Sequence, residues 1–310
     1  HQVLPADLMR DPLALADAVP LSAQRPALLS LVPTQLQRLM AVPEGLHWLQ
    51  RLALIWVGGA PLPRALAEAA RAAGLRLAPC YGATETAAMV CALAPELFLA
   101  GVGGCGQPLV DAELRLDPGS GAIAVRTTRL SPGHLEQGRL LPLPGLQSSD
   151  GGWWCSGDAG SLGPSGLTVL GRLDGAIHSG GETVFPEPLE ERLMAAVRAA
   201  GLPIEAALLL AEPDAHWGQR LVALVRPVGT SHQAAHQASH PVTVQLDAAL
   251  IARLEALTRP WRPAERPSRW LGCSALAPTA WGKWQRGAWQ QWLQSLEATH
   301  PPLGPDDHPQ

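Results

Sequence analysis

The chain has 310 residues, 47% of them hydrophobic, with 27 acidic against 23 basic side chains and a net charge of −4. That length and composition suit a globular protein of two domains with a sizeable core. The acidic balance argues against nucleic acid as a partner; no apolar run approaches the roughly 20 residues of a membrane span, and no charged start precedes an apolar stretch as in a signal peptide.

In chain order, residues 1–50 read as mostly helical, with "SLVPTQLQRLM" (30–40) the best-patterned piece. "LALIWVGGAPLP" (52–63) predicts a buried strand ending in a Gly-Gly turn. "RALAEAARAAG" (64–74) predicts a helix closed by Gly74. A short strand, "LRLAPC", and the loop "YGATET" follow. Strand, helix and strand in this order suggest a parallel α/β layer with a site at its carboxyl edge. From 101 to about 172, glycine and proline punctuate short strands ("AELRLD", "GAIAVRT", "GWWCSGD", "LTVLGR"). They predict a small antiparallel β unit. Beyond about 175, helix 186–201, strands "IEAALLLAEP" and "RLVALVRP", and helix 246–257 predict a compact α+β domain. Its expected core is Leu189, Leu193, Val197, Leu208, Leu210, Val222 and Leu250.

Two residues occur once each: Lys283, in "PTAWGKWQRG", and Tyr81, in "PCYGATETAAM". In a chain that otherwise uses arginine, the lysine is either a chance survivor of coding bias or a place that needs a compact ammonium. Cys80, Cys91, Cys105, Cys155 and Cys273 form no C-x-x-C pair. That argues for reduced thiols and a cytoplasmic location. His232, His236 and His240 recur at helical spacing, which could bind zinc. A solvated, low-complexity insertion is the favoured reading there.

The chemistry gathers in glycine loops. In "YGATET", Tyr81 offers a flat ring for a base, Thr84 a hydroxyl for a phosphate oxygen, and Glu85 a carboxylate for Mg²⁺. The plain alternative is a helix start with Thr84 as N-cap. "GGAPLP" (58–63) would lie beside this loop at the same sheet edge. "WWCSGDAG" (153–160) places Asp158 after a Ser-Gly turn, suited to ribose hydroxyls, with Arg172 in "GRLDG" able to add donors.

The ordered set Gly-Gly-Ala-Pro, Tyr-Gly-x-Thr-Glu, Ser-Gly-Asp, Gly-Arg-x-Asp, Gly-Gly-Glu and Gly-Lys resembles the acyl-adenylate-forming ligases. These include acyl-coenzyme A synthetases, luciferases and nonribosomal adenylation domains. The resemblance implies a two-step reaction. A carboxylate attacks the α-phosphate of ATP, with Mg²⁺, to give an acyl-adenylate, and the thiol of coenzyme A then displaces AMP. It implies that Tyr81 stacks on adenine, with Gly59, Ala60, Pro61 and Gly82 lining the same pocket. Thr84 would meet phosphate, Glu85 the magnesium, and Asp158 with Arg172 the ribose. Asp174 would be the hinge of a mobile C-terminal domain, Gly180 and Gly181 would border the thiol channel, and Lys283 would contact the carboxylate and α-phosphate.

"SLVPTQLQRLM" and "PDAHWGQRLVALV" (213–225) resemble, within that family, the o-succinylbenzoate–coenzyme A ligases of menaquinone and phylloquinone synthesis. The expected partners are then the acid, ATP and coenzyme A. The expected fold class is mixed, α/β and α+β. Residues 1–173 would be part of a large domain (parallel α/β layer plus antiparallel β unit), 174–298 a small mobile α+β domain, and 299–310 a disordered tail. The family's phosphate loop has no counterpart here; "GVGGCGQP" (101–108) lacks hydroxyl and lysine. That loop is expected upstream of His1, so this chain alone is expected to lack turnover. Gly175 and His178 depart from the family's usual acidic and apolar residues. The alternatives are a ligase for another aryl or fatty acid, or a non-catalytic nucleotide-binding remnant.

Overall fold

The computed structural model describes residues 4–5, 8–22, 24–147, 151–229, 243–279 and 284–299. The insertion with His232, His236 and His240, the tail from His300 onward and Lys283 lie outside these residues. The chain divides into two compact units, His1–Asp174 and Gly175–Gln310.

In the first unit, strands β1 (Leu28–Leu31), β2 (Leu54–Val57) and β3 (Leu77–Gly82) pair in parallel, and β4 (Met89–Ala92) and β5 (Gln107–Pro108) extend the sheet antiparallel. The layer is therefore mixed rather than purely parallel. Helices α1 (Pro12–Ala18), α2 (Pro33–Met40), α3 (Pro43–Gln50) and α4 (Arg64–Ala72) accompany the parallel part, and α5 (Pro95–Leu99) follows β4. The first 50 residues thus hold a strand that the helical reading missed. "LLSL" is a four-residue stretch of three leucines and a serine, too short for periodicity to tell strand from helix. Pro33 then starts α2, where the Gln35 side chain accepts from the Val32 amide at 3.0 Å. Alanine-rich α4 has high helix propensity and buries Ala67 and Ala70, and Gly74, at φ +69°, follows its end. Leu36, Leu39, Trp48, Leu49, Ile55 and Leu77 share its core.

A second sheet runs β10 (Leu146–Gln147), β11 (Trp153–Gly163), β7 (Ala122–Thr127), β6 (Ala112–Leu116), with β12 (Gly166–Arg172) also paired to β11, while β8 (His134–Glu136) and β9 (Arg139–Leu141) form a separate hairpin. Ile123, Val125, Trp154 and Leu167 fill its core, and Tyr81 of β3 packs against that core. Between β11 and β7 the register slips. From Cys155↔Ala124 to Ala159↔Ala122, β11 advances four residues while β7 advances two. Ser156, Gly157 and Asp158 form this bulge, a device that re-aims side chains beside functional sites.

The second unit is a sheet of β14 (Glu182–Val184), β13 (Ile177–Ser179), β16 (Gly218–Pro227), β18 (Pro267–Cys273) and β17 (Thr243–Val244), with β15 (Ile204–Asp214) antiparallel to β16. The single expected core is in fact two. Leu189, Leu193 and Val197 of α6 (Pro186–Ala199) pack with Leu209, Leu221 and Ala223 on one face, and Leu250 of α7 (Ala248–Thr258) joins them. Leu208, Leu210 and Val222 face the other way, toward Trp292 and Leu293 of α8 (Arg286–Thr299). Strands covered on both faces read as unbroken apolar runs, which "AALLL" and "LVALV" do.

A buried ion pair fastens α8 to this sheet. The Glu190 carboxylate accepts from the Arg286 guanidinium at 2.9 and 2.7 Å and from the Leu209 amide at 2.7 Å. Arg286 also donates to the Leu209 carbonyl at 3.0 Å and pairs with Glu187 at 3.2 Å. Burial pushes the Glu190 carboxyl above its ordinary range, and Arg286 and the Leu209 amide oppose that push. Arg286→Met strands a buried carboxylate, so it should cost the second unit about 3–5 kcal/mol. Equilibrium denaturation followed by circular dichroism measures this; a loss near zero would show that the pair carries no stability.

Candidate active site

β2 and β3 are parallel neighbours, so the loop 58–61 and the loop after Tyr81 leave the sheet at the same carboxyl end. Gly59 and Pro61 are exposed and Ala60 half-buried there. β3 and β4 cross closely at Gly82, where a Cβ would lie 2.2 Å from the Ala88 carbonyl oxygen and 2.5 Å from the Met89 Cα. Only glycine fits that crossing.

Thr84–Thr86 form one turn of 3-10 helix. Thr84 is not its N-cap, which corrects the plain alternative from the sequence: Ala83 holds that position. The structural threonine is Thr86, fully buried. Its hydroxyl accepts from the Ala83 amide at 3.0 Å and lies within 3.0 Å of the Ala83 carbonyl and 2.8 Å of the Ala88 carbonyl. Thr84 is exposed and Glu85 half-buried. Neither the Thr84 hydroxyl nor the Glu85 carboxylate has a hydrogen-bond or ion-pair partner among the described residues. An oxygen ligand of this kind fits Mg²⁺ carried in on nucleotide phosphates. The described residues hold no group of three or more His, Cys, Asp or Glu able to form a metal cage of their own.

The bulge in β11 brings the second set to Tyr81. The Tyr81 hydroxyl lies 2.8 Å from Asp158 Oδ2 and 3.0 Å from Ser156 Oγ. Ser156 Oγ in turn accepts from the Asp158 amide at 3.2 Å. Burial, first, then the neighbouring Asp158 charge raise the Tyr81 phenol well above its ordinary value, while Ser156 opposes them. The phenol thus stays a proton donor to the carboxylate across the physiological range. Asp158 and Arg172 face each other across β11 and β12, with Arg172 Nη1 3.5 Å from Asp158 Oδ1. The rest of the Arg172 fork goes to Asp174, at 3.1 and 2.9 Å. A Cβ on Gly157 would lie 2.5 Å from Arg172 Nη2, so the small residue in Ser-Gly-Asp makes room for the arginine.

Tyr81, Asp158, Arg172 and Asp174 are therefore one hydrogen-bonded and ion-paired set. Asp174 lies in the 3-10 turn Leu173–Gly175. Gly180 and Gly181 form the turn between β13 and β14, at φ +58° and +82°. The Gly180 amide donates to the Trp217 carbonyl at 2.9 Å, and the Trp217 ring occupies the space a Cβ would need. His178 departs from the family without harm to the core, since β13 points it to the exposed face between buried Ile177 and Ser179. Sequence reasoning assigned no role to Ser156, although it stands in the quoted Ser-Gly-Asp motif; a hydroxyl two residues before the aspartate was the available signal.

Residues 3–133 match the family of AMP-binding enzymes. The chain is 34% identical over 208 residues to the 2-succinylbenzoate–CoA ligase of Geobacillus kaustophilus, covering 64% of this chain and 41% of that one. It is 31% identical over 264 residues to the corresponding ligase of Salmonella typhimurium, covering 85% and 50%. Among solved structures, Escherichia coli MenE with a bound analogue of OSB-AMS aligns with a TM-score of 0.58 and 28% identity, over 87% of this chain and 51% of that one. The o-succinylbenzoate CoA synthetase of Bacillus subtilis, in complex with the acyl-adenylate intermediate OSB-AMP, shares the fold at a TM-score of 0.65 and 23% identity, over 85% and 51%. The chain spans about half the length, or less, of these relatives. By the matched segment and these relatives, the chain carries part of an AMP-binding enzyme and is similar to the o-succinylbenzoate–coenzyme A ligases among the acyl-adenylate-forming enzymes.

Proposed function

We propose that this chain serves an ATP-dependent acid–thiol ligase that activates o-succinylbenzoate and forms its coenzyme A thioester for menaquinone or phylloquinone synthesis. The carrying observation is the joined set of Tyr81, Asp158 and Arg172 beside a loop whose Thr84 and Glu85 are uncommitted. In the first step a carboxylate oxygen of the acid attacks the α-phosphorus of ATP. The bond to the bridging oxygen breaks and pyrophosphate leaves. In the second, the coenzyme A sulfur attacks the acyl carbonyl, its proton passes to solvent, and AMP leaves.

The residues take their parts from their chemistry. The Tyr81 ring, flanked by Gly59, Ala60, Pro61 and Gly82, would receive the adenine. Asp158 would accept from the ribose hydroxyls, with Arg172 facing it from the neighbouring strand. Thr84 would donate to phosphate. Glu85 would hold Mg²⁺, which screens phosphate charge when bound. Lys283 would add a point cation where charge builds on the α-phosphate. Residues 174–298 would move as a small domain about Asp174, exchanging Lys283 for the Gly180–Gly181 turn between the two steps. The five cysteines fit a reducing, cytoplasmic setting. Among the described residues no helix is long and apolar enough to cross a membrane.

The test uses a protein spanning the full length of its curated relatives. With o-succinylbenzoate and MgATP it should release pyrophosphate, and with coenzyme A added it should yield the thioester. Equal or better release with benzoate or fatty acids would move the substrate elsewhere. No release with any carboxylic acid would reject the ligase.

A further inference from the structure

We propose that Arg129 is a positioning residue, which fixes the loop Gly82–Met89 so that Thr84 and Glu85 meet the magnesium–phosphate group of the nucleotide. The inference rests on the nucleotide reading above and assigns a role to a residue that no motif singles out.

Arg129 follows β7, 40 or more residues from the loop in sequence. Its Nη1 donates to the Thr86 carbonyl at 3.0 Å and its Nη2 to the Met89 carbonyl at 3.1 Å. Its Nε and Nη2 reach the two oxygens of Asp111 at 2.6 and 3.3 Å. Two residues on, the Ser131 amide donates to the Glu85 carbonyl at 2.7 Å. The segment 129–131 thus holds three carbonyls of one short loop from outside, while the Thr86 hydroxyl closes the turn from inside.

The loop needs such support. Ala87 sits at φ +62°, in the left-handed region, without being glycine. A residue held there persists only where its surroundings over-determine it. Arg129 is also unfit to bind phosphate itself, because Nε, Nη1 and Nη2 are all engaged within the protein. Its charge is balanced by Asp111, whose carboxyl it holds below the ordinary range, chiefly by hydrogen bonding. A guanidinium with all three nitrogens bound within the protein acts as a strut. What it sets is the direction in which the uncommitted Thr84 and Glu85 side chains leave the backbone.

The experiment compares this chain with its Arg129→Ala, Arg129→Lys and Asp111→Asn variants. Amide hydrogen exchange is read by mass spectrometry, and binding of MgATP and of metal-free adenosine by titration. In Arg129→Ala, exchange over residues 84–89 should speed up at least about tenfold, with β7 and β11 unchanged. Affinity for MgATP should fall about tenfold, as expected for one or two lost hydrogen bonds. Affinity for adenosine should hold, since Tyr81 and Asp158 are untouched. Arg129→Lys, which keeps the charge and one donor direction, should fall between, as should Asp111→Asn; added guanidinium should restore part of the Arg129→Ala loss. If the alanine variant unfolds, the lysine variant carries the same comparison. Parent-like exchange over 84–89 would overturn the strut. So would faster exchange with parent-like MgATP affinity, or an equal loss of adenosine and MgATP. A parent that bound neither ligand would instead reject the nucleotide reading on which the strut depends.

Discussion

Replacing Lys283 with alanine should cut acid-dependent pyrophosphate release by about a thousandfold, the upper range for loss of one group that stabilises transition-state charge. The assay uses a protein spanning the full length of the curated relatives. Thioester formation from supplied o-succinylbenzoyl-adenylate should stay close to the parent rate, because on this reading the small domain has by then exchanged Lys283 for the Gly180–Gly181 turn. Lys283→Arg should behave nearly as badly as alanine. A guanidinium is a broad plane and an ammonium a point. Lys283 stands three residues before Arg286, which Glu187, Glu190 and the Leu209 carbonyl hold in place. As the chain's only lysine, it is also the only side-chain amine. An amine-acylating reagent should therefore modify this chain at one side chain, with modification retarded by MgATP. Parent-like pyrophosphate release from Lys283→Ala would remove the lysine from the chemistry.

The elements legible in the sequence were those whose signal is local. Gly74 ended α4 as its position implied, and the unbroken apolar runs of β15 and β16 announced strands. What those runs did not reveal was that both faces are covered. The second cover is α8, whose Trp289, Trp292, Leu293 and Leu296 fall at helical spacing. That pattern was present in the sequence, and Trp289 meets Trp292 edge to face at 5.7 Å. β1 was hidden for the opposite reason, being four residues long and pressed against a proline. In the site, Tyr81, Asp158 and Arg172 could be picked out because each sits in a glycine-marked motif and the motifs keep a family order. Arg129 could not, since its partners Thr86, Met89 and Asp111 are 43, 40 and 18 residues away. The bulge at Ser156–Asp158 was equally silent. It exists only in the register between two strands, in the interior of β11, where the Ser-Gly-Asp of the sequence reads equally well as a turn.

Asp158→Ala should lower affinity for adenosine about a hundredfold while leaving the fold intact. Asp158 is an acceptor for two ribose hydroxyls on this reading. Each hydrogen bond to a charged group is worth about 1.5–3 kcal/mol, so losing two costs about a hundredfold or more. The fold should survive because Tyr81 keeps Ser156 within 3.0 Å of its hydroxyl and Arg172 keeps Asp174. Tyr81→Phe should cost far less than Asp158→Ala, since it keeps the ring that meets the base and removes one donor to a carboxylate that Arg172 still faces. Tyr81→Ala should approach the aspartate variant, because it removes the ring itself. Deoxynucleosides give the sharper test. The parent should bind 2′- and 3′-deoxyadenosine more weakly than adenosine. Asp158→Ala should bind all three alike, because the group that read the hydroxyls is gone. The comparison separates direct contact from a general loosening of the site, which would weaken all three ligands and keep their order. If Asp158→Ala still preferred adenosine by the parent's margin, the ribose hydroxyls would be read by some other group, and the bulge in β11 would serve only to seat Tyr81.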